Sequence, residues 1–161
     1  MSLYHQYSPA RLEKKAIEVL SAYRDGEMLK TPQALDIDAF AEFHLKLTVD
    51  GAYLSQDGKT LGCTCFNNGY LKTWDKARQK ESPMKVKEKW VLLDNDLLEG
   101  DNEGRIRFTI AHECAHWILH RRFFVRRPGA IYPTIPCDVY HMERWDSRPP
   151  MTDEEISEWQ A

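Results

Sequence analysis

A chain of 161 residues, 42% hydrophobic and 11% aromatic, can bury one core, which excludes a disordered chain and a disulfide-dependent miniprotein. Its formal net charge of −3 gives no general attraction to nucleic acid or to an anionic membrane. The first residues carry no basic stretch followed by an apolar run, and no apolar segment nears the ~18 residues of a membrane span. The expectation is a single cytoplasmic domain over residues 1–161.

Ser8-Pro9 opens a helical spacing of Leu12, Ala16, Ile17, Leu20 and Tyr23, which Asp25-Gly26 closes. A second short helix is predicted over 36–45, carrying Ile37, Phe40, Ala41, Phe43 and His44. The pair does not read as a DNA-binding helix-turn-helix. The link through Lys30-Thr31-Pro32 is long, and no basic recognition helix follows.

From Lys46 the period becomes that of strands. Leu47-Thr48-Val49 and Ala52-Tyr53-Leu54 lead into Asp57-Gly58, a hairpin turn signal, and Leu61 to Phe66 returns. Asn67-Asn68-Gly69 turns the chain again into Tyr70 to Trp74. Residues 75–88 are charged, contain Pro83 and read as an exposed loop, whereas Trp90-Val91-Leu92-Leu93 reads as a buried strand. The middle of the chain is therefore expected to be a small, mainly antiparallel meander. Cys63, Cys65, Cys114 and Cys137 do not form a disulfide framework. Cys63 and Cys65 put two sulfurs on one face of a strand, but no second Cys or His pair stands nearby to complete a soft metal site, so buried thiols are the favoured reading.

Asp101-Asn102 offers an N-cap, and Arg105 to His120 is the strongest helical pattern in the chain. Residues 121–150 are rich in Arg and Pro and read mostly as loop. Arg121-Arg122 and Arg126-Arg127 flank Phe123-Phe124-Val125; the plain reading is cations at a helix C-terminus, the sharper one a docking patch for an acidic partner. Thr152 to Glu155 fits a capping box, and Ile156 and Trp159 give the following helix an apolar face. That helix meets Ala161 about two and a half turns from its cap, which reads as a chain cut inside an element.

The chemistry concentrates in His112-Glu113-Cys114-Ala115-His116. Two histidines four apart lie one turn above each other on one helix face, where both imidazoles can converge on a zinc ion. Glu113 lies one step round the cylinder, placed to act as general base toward water at the metal rather than as a ligand. By chance such a string arises in roughly one in two hundred chains of this length, so context must decide. Here it is flanked by Phe108, Ile110, Ala111, Trp117, Ile118 and Leu119, and a helix so apolar is mostly buried. Two histidines and a glutamate are costly there without a partner, and a metal resolves that cost.

Catalytic zinc needs a third protein ligand and an open fourth position. Candidates are His120, His141, Asp138, Glu154, Glu155 and Glu158. His120 continues the histidine stripe but climbs about 6 Å further along the helix axis, which favours a packed or hydrogen-bonded role. His141 is a candidate ligand or transition-state donor. Glu155 is occupied by capping, so Glu158, one turn later, is preferred.

The run from Arg105 to His120, of the form Arg-Phe-Thr-x-Ala-His-Glu-x-x-His-x-x-x-His, resembles the ImmA/IrrE family of metallo-endopeptidases. Leu61-Gly62 with Phe66 looks like that family's sheet, and Val91 to Asp94 before Leu97 looks like the strand preceding its active-site helix. The likeness spans residues 8–161 and is strongest over 89–120. Cys114-Ala115 stands where the family usually has Leu-Gly, a conservative packing change. Glu158-Trp159-Gln160-Ala161 matches the opening of the helix that carries the family's acidic third ligand. The resemblance implies an α+β, zincin-like fold, with a small mainly antiparallel sheet packed against the active-site helix and the N-terminal helices. It also implies a zinc endopeptidase of bacterial or mobile-element origin that cleaves a helix-turn-helix repressor without contacting nucleic acid itself. The alternative is a module that keeps the metal and binds a repressor without cleaving it.

Overall fold

The computed structural model describes residues 7–125, 134–138 and 153–161. Helix α1 spans Pro9–Ala22, with Ser8 extended at its N-cap and proline at the start of its first turn. It ends where Asp25 (φ 52°) and Gly26 (φ 71°) both enter the left-handed region, within a 3-10 segment over Arg24–Leu29. Helix α2, Ile37–Ala39, is capped by Asp36, whose carboxylate accepts from the Ala39 amide. The predicted single helix over 36–45 is realised in two parts, because a wider π turn takes over at Phe40–His44. That turn buries Phe40 and Ala41 and leaves Phe43 70% exposed.

Four strands form the main sheet in the order β1-β5-β2-β6, with β1 at Thr48–Ala52, β2 at Thr60–Cys65, β5 at Trp90–Asp94 and β6 at Thr134–Asp138. The turn at Asp57-Gly58 forms, with Gly58 at φ +64°, but it does not join neighbouring strands. β5 inserts between β1 and β2, parallel to the first and antiparallel to the second. The expected β1–β2 hairpin is thus replaced by a crossover. The reason lies in β5 itself: Val91, Leu92 and Leu93 are all at most 1% exposed, and a strand apolar on both faces belongs inside a sheet.

β3 (Gly69–Asp75) and β4 (Lys80–Val86) pair as a separate antiparallel ribbon. The segment 75–88, expected as loop, is therefore half strand. Its charges conceal a period of two: Ser82, Met84 and Val86 turn inward while Pro83 and Lys85 face out. Pro83 sits opposite Lys72, tolerated because a two-stranded ribbon has an open edge on either side.

After β5, Asp94 caps the short α3 (Asn95–Leu98), accepting from the Asp96 amide at 3.0 Å and from the Leu54 amide at 2.8 Å. Helix α4 spans Glu103–Val125 and is capped by Asn102, whose Oδ1 accepts from the Arg105 amide. It runs past His120, and β6 follows, so the stretch 121–150 expected as loop contains regular structure at 121–125 and 134–138. β6 is an edge strand, the position at which its Pro136 is compatible with pairing. Helix α5 spans Asp153–Gln160. The predicted cap Thr152, and with it Arg126, Arg127 and His141, lies outside the described residues. The arrangement is a mixed α+β fold, and among the described residues no helix is long and apolar enough to cross a membrane.

Strand alternation gives the sheet two apolar faces. On one, Val91, Leu93 and Phe66 pack with Ile110, Cys114 and Trp117 of α4 and with Tyr23, Ile37 and Phe40 from the N-terminal helices. On the other, Cys63, Cys65 and Leu92 pack with Ala52, Leu54 and Val86 beneath the β3–β4 ribbon. Cys63, Cys65 and Cys114 are buried free thiols, as expected for small apolar side chains. Burial raises Cys114 to about 12, with the Glu113 charge adding to it.

Candidate metal centre

Helix α4 turns Ile110, Cys114 and Trp117 into the core, so a neighbouring stripe, His112, His116 and His120, rises one turn at a time along an adjacent face. That stripe is covered by α5, and the three histidines are 8%, 0% and 2% exposed. Glu158 of α5 brings its carboxylate against two of them. Oε2 lies 3.2 Å from His112 Nε2, Oε1 lies 3.2 Å from His116 Nε2, and the two Nε2 atoms are 3.0 Å apart. The imidazoles meet nearly at right angles, with an interplanar angle of 86°. Ligand atoms of His112, His116 and Glu158 all fall within 4.8 Å of one another, a cluster that could hold a metal ion.

The donor set itself argues for a cation. Two imidazole nitrogens and a carboxylate converge in a largely buried site, and Glu158 Oε1 is a buried oxygen with no hydrogen-bond partner. Burial opposes the charge on Glu158, whereas the facing His112 and His116 rings, only in so far as they carry protons toward it, pull the carboxyl down to about 2. For His116 burial is the larger effect and lowers its pKa despite the Glu158 carboxylate beside it. We take the ring as neutral, because a fully enclosed imidazolium next to a second imidazole is the costlier state. A neutral imidazole is the form of histidine that binds metal.

Glu113, next to His112 on α4, also reaches strand β2 of the sheet. Thr64 Oγ1 of β2 donates to Glu113 Oε2 at 2.7 Å, and its hydroxyl also lies 3.0 Å from the Glu113 carbonyl oxygen. Glu113 Oε1 is buried without a hydrogen-bond partner. Burial pushes this carboxyl well above the usual range, opposed by the Thr64 hydrogen bond and reinforced by the Glu158 charge. Space for it exists because residue 62 is glycine: a Cβ there would stand 2.8 Å from Glu113 Oε1 and 2.9 Å from Thr109 Cγ2.

Of the residues singled out in the sequence, His112, His116 and Glu158 come together, with Glu113 beside them. His120 is not in that cluster; its Nδ1 lies 3.1 Å from His116 Nδ1 and its Nε2 lies 3.3 Å from Gln160 Oε1. This matches the hydrogen-bonded role preferred for it. The side chains of Asp138, Glu154 and Glu155 fall outside the described ones, as does His141. Sequence reasoning missed Gly62, Thr64 and Gln160. Thr64 could have been found from strand alternation, since it faces opposite to Cys63 and Cys65 and so must meet α4. Gln160 lay inside the stretch likened to the family's ligand helix, but nothing there marked it as a partner of His120.

Arg121, read as part of a basic cluster, places its guanidinium 5.7 Å from the Trp117 ring centroid. A scan of protein-family models, a search of curated proteins and a search of solved structures each returned no match for the chain.

Proposed function

We propose that the protein is a zinc-dependent endopeptidase with His112, His116 and Glu158 as ligands and Glu113 as general base. The observation that carries this reading is the convergence, from two helices far apart in sequence, of two imidazole nitrogens 3.0 Å apart and a carboxylate whose two oxygens each lie 3.2 Å from one of them. Ligands at about 2.0–2.1 Å in tetrahedral directions stand about 3.3–3.4 Å from one another, close to what is seen. Three protein ligands of N and O type, with the fourth direction left for water or substrate, are the donor set of catalytic rather than structural zinc. Zinc held there supplies Lewis acidity, polarising a substrate carbonyl and bringing the acidity of water toward neutrality.

The chain's own residues supply the proton chemistry. Thr64 fixes one oxygen of Glu113, leaving Oε1 to take a proton from the attacking water and pass it to the departing amine. A carboxyl pushed upward by burial is a better match to proton transfer near neutral pH than an exposed one. The sixteen residues from Arg105 to His120 resemble ImmA/IrrE peptidases, so the substrate inferred is a regulatory protein, specifically a helix-turn-helix repressor.

The test is incubation of zinc-loaded protein with such a repressor and with an unfolded peptide mixture, reading new termini by mass spectrometry. Cleavage by the wild type should fall on the order of 10²–10⁴-fold in Glu113→Gln, while zinc content is unchanged. Cleavage that survives Glu113→Gln contradicts the reading, and repressor binding without cleavage identifies a non-catalytic module instead.

A further inference from the structure

Beyond the three ligands, two buried side chains continue in line from His116. His116 Nδ1 lies 3.1 Å from His120 Nδ1, and His120 Nε2 lies 3.3 Å from Gln160 Oε1. The three residues are 0%, 2% and 5% exposed, so these contacts are made in a dry interface between α4 and α5. Proton positions follow from the acceptor at the end. An amide oxygen can only accept, so the proton of neutral His120 sits on Nε2 and its Nδ1 is a bare lone pair. That lone pair must face a donor, so His116 carries its proton on Nδ1, and His116 Nε2 is left bare, directed at Glu158 and His112.

We infer that His120 and Gln160 are positioning residues, a hydrogen-bonded chain that locks His116 in its metal-binding tautomer and ring orientation. The inference rests on the metal reading above. It makes α5 responsible for two things: Glu158 provides a ligand, and Gln160, two residues on, fixes the opposite edge of another ligand. Histidine ligands depend on such partners for basicity and aim, and losing one typically weakens metal binding 10–100-fold.

Two readouts test it, neither of them activity. Zinc affinity, measured by competition with a chromogenic chelator, should weaken about 10–100-fold in His120→Phe and Gln160→Leu, while Gln160→Glu, which keeps an acceptor, should stay within about threefold of wild type. Equal losses in Gln160→Leu and Gln160→Glu, or none in Gln160→Leu and His120→Phe, would overturn the inference. Long-range proton–nitrogen NMR of the histidine rings should find His116 protonated at Nδ1 and His120 at Nε2. A His120 protonated at Nδ1 overturns it too. Because NMR can be recorded on metal-free wild-type protein, a wild type that binds no zinc would sink the metal reading while the tautomers still judge the chain.

Discussion

Glu113 is held by what surrounds it on the sheet side as much as by its place in the His-Glu-x-x-His string. Thr64 fixes one carboxylate oxygen, and the absence of a side chain at Gly62 makes room for the other. In Gly62→Ala the new Cβ would press on Glu113 Oε1 at 2.8 Å and on the Thr109 methyl at 2.9 Å. The methyl belongs to a β-branched residue on a packed helix and gives little, so the carboxylate must move. If Glu113 is the general base as proposed, a displacement of a fraction of an ångström costs it much of its effect, and cleavage should drop roughly tenfold to a hundredfold. Zinc content should not change, because the atoms nearest the new Cβ belong to Glu113 and Thr109 and not to a proposed ligand. Steady-state kinetics together with metal analysis of the variant would check both halves, and an equal loss of metal would move the cause away from Glu113.

At the scale of elements, the junction of α4 and α5 sets the molecule's response to acid. Burial lowers His120 to about 4, with the neighbouring His116 adding to the shift. The sign follows: a histidine whose folded pKa lies below its unfolded value of about 6.5 adds stability that is complete above that pH. The contribution fades as pH falls from 6.5 toward 4, where the unfolded chain binds a proton that the folded one resists. The effect is on the order of 3 kcal/mol if the shift is fully expressed. Denaturant midpoints of the metal-free protein should therefore fall across that interval, and the slope should flatten in His120→Phe. A midpoint independent of pH there would show that the α4–α5 junction is open in solution.

The same elements show what the sequence could and could not reveal. The histidine stripe and Glu158 were legible because spacing on a helix fixes facing, whatever the rest of the fold does. The partner of β1 was not. A hairpin turn at Asp57-Gly58 is a local signal, but the order β1-β5-β2 depends on where a strand apolar on both faces can be buried, and that is settled across the whole sheet. Strand β4 was hidden for a related reason. Its charged residues and Pro83 satisfy a loop's composition, while the alternation of Ser82, Met84 and Val86 matters only once β3 lies beside it. Gln160 was invisible because its role is defined by His120, which lies on a different helix.

In the molecule as a whole, the sheet divides the labour between its faces. One face, under the β3–β4 ribbon, is filled by small and aliphatic side chains, and its thiols Cys63 and Cys65 are buried and free. The other presents Gly62 and Thr64 to α4, so the rigid layer that builds the core also sets the Glu113 carboxylate. Metal bound between α4 and α5 would add the stability of any ligand that binds only the folded state, roughly 2.7 kcal/mol at a hundredfold excess over Kd. The centre thus joins the packed body of the fold to its C-terminal helix. The most direct test of this account is X-ray absorption at the zinc edge on purified, zinc-loaded protein. Two imidazole nitrogens and a carboxylate oxygen at about 2.0–2.2 Å are predicted, with no sulfur in the coordination sphere. Scattering from sulfur at about 2.3 Å, or a sphere without histidine, would contradict it.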